Sequence, residues 1–310
     1  MKKLGLASIC LAFLLFCTAC SGKAGVVSPA ENGSQPGTSS SSSAAEVPQD
    51  NLHWTNSGIK DGPEDGPGYS VYSKVGYRKA SAVFCLSRAK TNLDRKSDGK
   101  FINAYAFLGI DVYRGGTQWT NCVDAGLLRS GNGGKWHACA NRYLADPDES
   151  KWWESSVNLD ETHDYRLVLD SSQKDEQITL RVFDVTAGDK MVDSKTLGLY
   201  YSKADGSTTS YYDCVSMAFP PDICMDPAGR ASTDYAEVLK YNTGEGLYFK
   251  NAVLKDAALY DASGSHPWTA DRTKDRFLWP TKATGIQYPC ITLQSVRKDY
   301  EETVNIDLNH

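Results

Sequence analysis

The chain has 310 residues, with 33 Lys or Arg against 38 Asp or Glu, for a net charge of −5. No basic run offsets that balance, which argues against a nucleic-acid partner, and an acidic surface would hold a folded domain off an anionic bilayer. The length beyond residue 50 suffices for one large all-β domain or two small ones.

In chain order, Met1-Lys2-Lys3 precedes the apolar run LGLASICLAFLLF, which ends at Phe16. That run is short for a membrane span and has the length of a signal-peptide h-region. Cys17-Thr18-Ala19-Cys20-Ser21 follows. Small residues just before a cysteine resemble the bacterial lipobox, which implies that residues 1–19 are removed and that Cys20 carries the lipid. Ordinary secretion with cleavage nearby is the plainer alternative. Residues 20–50 have no periodicity, and 38–43 are nearly pure serine. Such a segment buries too little to offset its ordering entropy, so it reads as a flexible tether with a span of roughly 30 Å.

Residues 51–310 read as the folded part. Residues 51–68 carry turn chemistry, and 69–77 and 80–88 read as short strands before a charged loop over 91–99. Residues 100–143 form three strand-like runs, KFINAYAFLGIDVYR, TQWTNCVDAGLLRS and KWHACANRY, broken by Gly115-Gly116 and by Ser130-Gly131-Asn132-Gly133-Gly134. In the first run Ile102, Ala104, Ala106, Leu108, Ile110 and Val112 fall on one face. Phe101, Asn103, Tyr105, Phe107, Gly109, Asp111 and Tyr113 fall on the other. The first face belongs to a core; the second mixes rings with polar groups. Residues 145–156 read as a loop with one helical turn. Residues 163–184 make the most legible hairpin, and strands are expected over 190–201, 211–219, 285–297 and 302–308. Residues 226–237 are ambiguous, and 246–260 give one or two strands with a helix as the alternative for the second half.

A dozen short runs with turn signals between them and few short helices predict an all-β, jelly-roll β-sandwich. Tyr165-Arg166-Leu167-Val168-Leu169, a polar turn, then Ile178-Thr179-Leu180-Arg181-Val182-Phe183 resembles a hairpin recurrent in concanavalin A-like lectin/glucanase domains. Leu247-Tyr248-Phe249-Lys250-Asn251-Ala252-Val253-Leu254 is similar to a strand near the end of many such domains. The resemblance implies a carbohydrate ligand, although fold does not fix function.

The chemistry is sought on the polar-aromatic face. Sugars take ring stacking plus planar polar side chains, so Tyr105, Asp111, Tyr113, Trp119, Asp124, His137 and Asn141 are the expected ligand-binding set. Each has a plainer reading: the aspartates serve backbone amides or solvent, the rings fill a core, and His137 needs only one hydrogen bond. As a general base, His137 would need a partner such as Asp124. The Glu-x-Asp-x-Glu strand of glucanases is absent from the sequence. So are G-x-S-x-G, H-E-x-x-H and nucleotide fingerprints. Asp111 with Asp124 is the best carboxylate pair. No cofactor is implied; Asp146-Pro147-Asp148-Glu149 is the loop that calcium would use, or else a solvated turn. Cys85, Cys122, Cys139, Cys214, Cys224 and Cys290 are an even set in an exported chain. Cys122–Cys139 and Cys214–Cys224 are the nearest pairings, against buried thiols as the alternative. The expectation is a cell-surface lipoprotein, touching the membrane only through its anchor, whose domain binds an oligo- or polysaccharide without catalysis. The alternatives are a glycoside hydrolase or polysaccharide lyase, or a protein-binding module.

Overall fold

The computed structural model describes residues 52–53, 68–74, 76–94, 102–114, 118–171, 177–210, 223–226, 246–279, 291–294 and 302–308. At 52–53, 68, 70, 111, 113–114, 118–120, 223–226, 275–279, 294 and 302 it describes the backbone alone. The expected signal peptide, lipidated Cys20 and tether lie outside the described residues, as do the strand expected over 211–219 and nearly all of 226–237.

Nineteen strands occur among the described residues. The chain opens with β1 (Leu52–His53), β2 (Gly68–Ser73), β3 (Lys79–Phe84) and β4 (Lys90–Asn92). The expected meander follows as β5 (Asn103–Arg114), β6 (Gln118–Ser130), β7 (His137–Arg142) and β8 (Trp152–Glu154). Next come β9 (Tyr165–Asp170), β10 (Gln177–Asp184), β11 (Lys190–Gly198), β12 (Tyr200–Ser202), β13 (Thr208–Ser210) and β14 (Ile223–Asp226). The chain closes with β15 (Tyr248–Asp261), β16 (Gly264–Pro267), β17 (Thr273–Trp279), β18 (Ile291–Gln294) and β19 (Glu302–Asp307). Helix among the described residues amounts to two single 3₁₀ turns, Leu86–Arg88 and Ala270–Arg272.

Two sheets face each other. The larger has nine strands in the order β11-β10-β9-β3-β15-β19-β18, with β4 and β16 also on β15; the smaller is β14-β5-β6-β7-β8, antiparallel throughout. Alternation explains the layer between them. Ala104, Ala106, Leu108, Ile110 and Val112 of β5 share one core with Ala80, Ala82 and Phe84 of β3, Leu167 and Leu169 of β9, and Ile178, Leu180 and Val182 of β10. Trp136, from the turn before β7, sits at the centre with ring centroids 5.5 Å from Phe84 and 5.6 Å from Phe249. The protein is an all-β sandwich.

The local departures from expectation have physical causes. Of the readings left open for residues 246–260, the structure shows a single long strand, β15, and no helix in its second half. Its alternation is broken by bulges where Asn251 and Asp256 take φ of 54° and 53°, beside register shifts against β19 and β3. Asn and Asp are the non-glycine residues that tolerate this conformation best. Residues 152–154, expected in a loop, form the edge strand β8. The Cys122–Cys139 disulfide is not formed. Cys139 lies opposite Gly126, four residues along β6 from Cys122, which separates the two by about 14 Å, beyond disulfide reach. Cys214 lies outside the described residues.

Candidate functional site

The face of the five-stranded sheet turned away from the shared core carries most of the expected site. Cross-strand partners occupy the same face. The register therefore sets Asp124 beside Asn141 and Asn141 beside Trp152 in one row. In the next rows Gly126, Cys139 and Glu154 are neighbours, then Tyr105, Leu128 and His137. Asp111 stands opposite Cys122, two residues from Asp124; Tyr113 stands opposite Trp119 across a register shift. Those last placements concern backbone only, since the side chains of Asp111, Tyr113 and Trp119 lie outside the described set.

The face is not an ordinary solvated one. Tyr105, Phe107, Leu128 and Cys139 form a second hydrophobic cluster, separate from the main core, with Trp152 packed against it. Gly126 makes room for it: a side chain there would meet the backbone and Cβ of Phe107. Tyr105 meets Trp152 edge-on with centroids 6.3 Å apart, and Phe107 likewise at 6.2 Å. Its hydroxyl receives a hydrogen bond from Asn103 Nδ2 at 3.2 Å. The expectation of an open stacking ring at Tyr105 is therefore corrected: the residue is 7% exposed and acts as packing. Trp152 is the partly exposed ring beside it.

Glu154 is tied down at both oxygens. Trp152 Nε1 donates to its Oε1 at 2.6 Å, and His137 Nε2 lies 3.1 Å from its Oε2. His137 Nδ1 lies 2.8 Å from the Lys135 carbonyl oxygen, so both ring nitrogens face acceptors. The carboxylate that partners His137 is Glu154, where the sequence had suggested Asp124. Asn141 Oδ1 is a buried acceptor with no hydrogen-bond partner. The Cys139 thiol is pushed strongly upward by burial, then by the charges of Glu154 and Asp124, so it stays protonated and is no nucleophile.

Trp152 and Glu154 are the residues that sequence reasoning left out. The signal was present in Trp152-Trp153-Glu154: in a strand, consecutive tryptophans point to opposite faces. Trp153 packs against the main core while Trp152 packs on the outer cluster.

Other clusters resolve as structural. Ser263 Oγ and Asp261 Oδ1 both lie 3.0 Å from His266 Nε2, the same nitrogen, so the group lacks the relay of a nucleophilic triad and instead pins the β15–β16 hairpin. In the acidic loop, Asp146 Oδ1 accepts from the Asp148 amide at 3.0 Å and Glu149 pairs with Arg142 at 2.7 Å. Among the described residues no group of three or more His, Cys, Asp or Glu is placed to hold a metal ion.

No family model and no curated protein sequence matches the chain. Among solved structures, that of SCP-B, a member of the eqolisin family of peptidases, in a complex with the tripeptide Ala-Ile-His, is similar at a TM-score of 0.36 and 11% identity. The likeness covers 79% of this chain and 98% of that one, and a score that low bears on neither fold nor function.

Proposed function

We propose that the protein is a surface-anchored lipoprotein whose concanavalin A-like sandwich binds a glycan without altering it. One observation carries the reading: Trp152 is held part-open and rigid among planar polar groups. Its indole nitrogen is fixed to Glu154 and its ring edge-packed on Tyr105, with Asn141 directly opposite. A ring offers the C–H faces of a sugar a dry platform, and neighbouring carboxylates and amides meet its hydroxyls. Fixing both in advance lowers the ordering cost of binding. In this reading Trp152 stacks, while Asp124, His137, Asn141 and Glu154 orient. Asp111, Tyr113 and Trp119 extend the same face, and Tyr105 supports it from beneath. The lipid on Cys20 and the serine-rich tether would present the domain at the cell surface.

Both oxygens of Glu154 are already engaged, which favours binding over hydrolysis. Affinity electrophoresis in gels carrying different polysaccharides tests the proposal. At least one glycan should retard the wild-type domain, with Trp152→Ala migrating freely at a temperature where circular dichroism shows both domains folded. Release of reducing ends or unsaturated sugars would replace this reading with the hydrolase or lyase one. Failure of every glycan, with and without calcium, would sink it and leave the protein-binding alternative.

A further inference from the structure

We infer, resting on the glycan-binding reading, that His137 is a proton-operated clamp on the Trp152–Glu154 pair, so that the site holds its sugar more tightly at mildly acidic than at mildly alkaline pH. The surroundings of the imidazole carry this. Nδ1 lies 2.8 Å from the Lys135 carbonyl oxygen, and Nε2 lies 3.1 Å from Glu154 Oε2. Neither a carbonyl nor an ionised carboxylate has a proton to give, so both contacts are hydrogen bonds only when the ring carries two protons. A neutral ring has one N–H for two acceptors, and its bare nitrogen then turns a lone pair on an oxygen.

The two arms do not yield equally. The Lys135 oxygen belongs to the backbone just before β7 and cannot swing aside. The Glu154 side chain is 45% exposed, so water can take the place of the imidazole there. Deprotonation therefore releases the carboxylate arm. Glu154 Oε1 is also the acceptor for Trp152 Nε1 at 2.6 Å, so what His137 fixes through Glu154 is the ring that stacks on the sugar in that reading. Once released, carboxylate and indole regain rotamer freedom that binding must then remove.

Among the described residues, Glu154 is the carboxylate in contact with the ring, and the neighbouring groups are engaged elsewhere or distant. Lys135 Nζ lies 3.8 Å from Glu161 Oε1, and that glutamate pairs with Arg129 of β6 at 2.9 Å. Asp124 of β6 stands two rows further along the face, beside Asn141. Cys139 of β7 stays a neutral thiol, and the Tyr105 hydroxyl of β5 accepts from Asn103.

Nuclear magnetic resonance of the mature chain without ligand, followed from pH about 5 to about 8.5, reads the clamp directly. The Trp152 indole N–H resonance, assigned by its loss in Trp152→Phe, should move in step with the His137 ring resonances and stay fixed in His137→Gln. An indole resonance that ignores the His137 titration would overturn the clamp. Affinity electrophoresis at pH about 5.5 and about 8 then reads the ligand. Any polysaccharide that retards the chain should bind about threefold to tenfold more tightly at the lower pH. His137→Gln should bring the two affinities together, and His163→Gln should leave them apart. Equal wild-type affinity at both pH values would overturn the pH dependence and leave the glycan reading standing. Retardation by no polysaccharide at either pH would overturn the glycan reading and the pH-dependent binding with it, while the indole resonance still decides the clamp.

Discussion

Gly126→Ala tests how closely β5 and β6 are coupled beneath the site. A methyl group at Gly126 would lie 2.4 Å from Ala106 O and from Phe107 Cα and Cβ, against ordinary contacts of 3.4–4 Å. None of those atoms can swing away by changing a rotamer, so β5 must retreat by about 1 Å. That stretches the backbone hydrogen bonds flanking the Phe107–Gly126 pair beyond useful range. Two such bonds at about 1 kcal/mol each, plus loosened core contacts behind Ala106, give a loss of about 2–4 kcal/mol, in the upper range for overpacking. In urea this is a fall in midpoint of about 1 M for a slope of about 3 kcal/mol/M. Gly188→Ala is the control: its φ of 85° disfavours a side chain, but nothing lies within 4 Å of the added carbon, so about 1 kcal/mol is expected. If Gly126→Ala costs no more than Gly188→Ala, the close packing of Phe107 over β6 is refuted.

The remaining predictions address the charged and reactive groups. Arg142 is buried and donates to Gly198 O at 3.1 Å, Ser150 O at 2.6 Å and Glu149 Oε2 at 2.7 Å. Arg142→Met should cost about 3 kcal/mol by stranding two carbonyls, and Glu149→Ala less than about 1, because that carboxylate is half-exposed; equal losses in thermal melts would contradict this. The hydrogen bond from His163 to Asp184 raises the His163 pKa above its ordinary 6.5. Its stabilisation is therefore full below pH about 6.5 and disappears as pH rises through the higher folded value. His163→Gln should accordingly lower the melting temperature at pH about 5.5 and leave it nearly unchanged at pH about 8.5; a reversed order would show the linkage to have the opposite sign. Cys139 should resist iodoacetamide at pH about 8 in the folded chain and react once unfolded, as read by peptide mass spectrometry; alkylation in the folded state would show that the outer cluster opens.

The sandwich was legible where burial is one-sided and strands are long. Ala104, Ala106, Leu108, Ile110 and Val112 alternate in sequence, and each is at most 1% exposed. A single-residue slip would have turned all five outward. The hairpin of β9 and β10 was legible for the same reason. β8 was not, because three residues carry no period; it is a strand only through its pairing with β7. The bulges at Asn251 and Asp256 hid the continuity of β15, since each shifts the alternation by one residue. The Cys122–Cys139 pairing, which stood against buried thiols as the alternative, failed on register, which composition cannot supply. The site was legible as a face and not as a set of contacts. Asp124, His137 and Asn141 do share it, whereas the burial of Tyr105 depends on Trp152, three strands away in the sheet order.

That dependence also determines how the polar groups of the outer face are held. A sheet face bearing Asp124, Asn141, His137 and Glu154 on a solvated surface would leave each side chain its full rotamer freedom, to be lost on binding. Here the Tyr105–Phe107–Leu128–Cys139 cluster and the ring of Trp152 form an apolar floor, and Glu154 is hydrogen-bonded to that ring and to His137. The cluster buries Tyr105, Phe107, Leu128 and Cys139 on the side of the sheet opposite the main core. Besides that burial it fixes Glu154 and His137 at the surface, the pre-organisation that the proposed glycan-binding reading calls for.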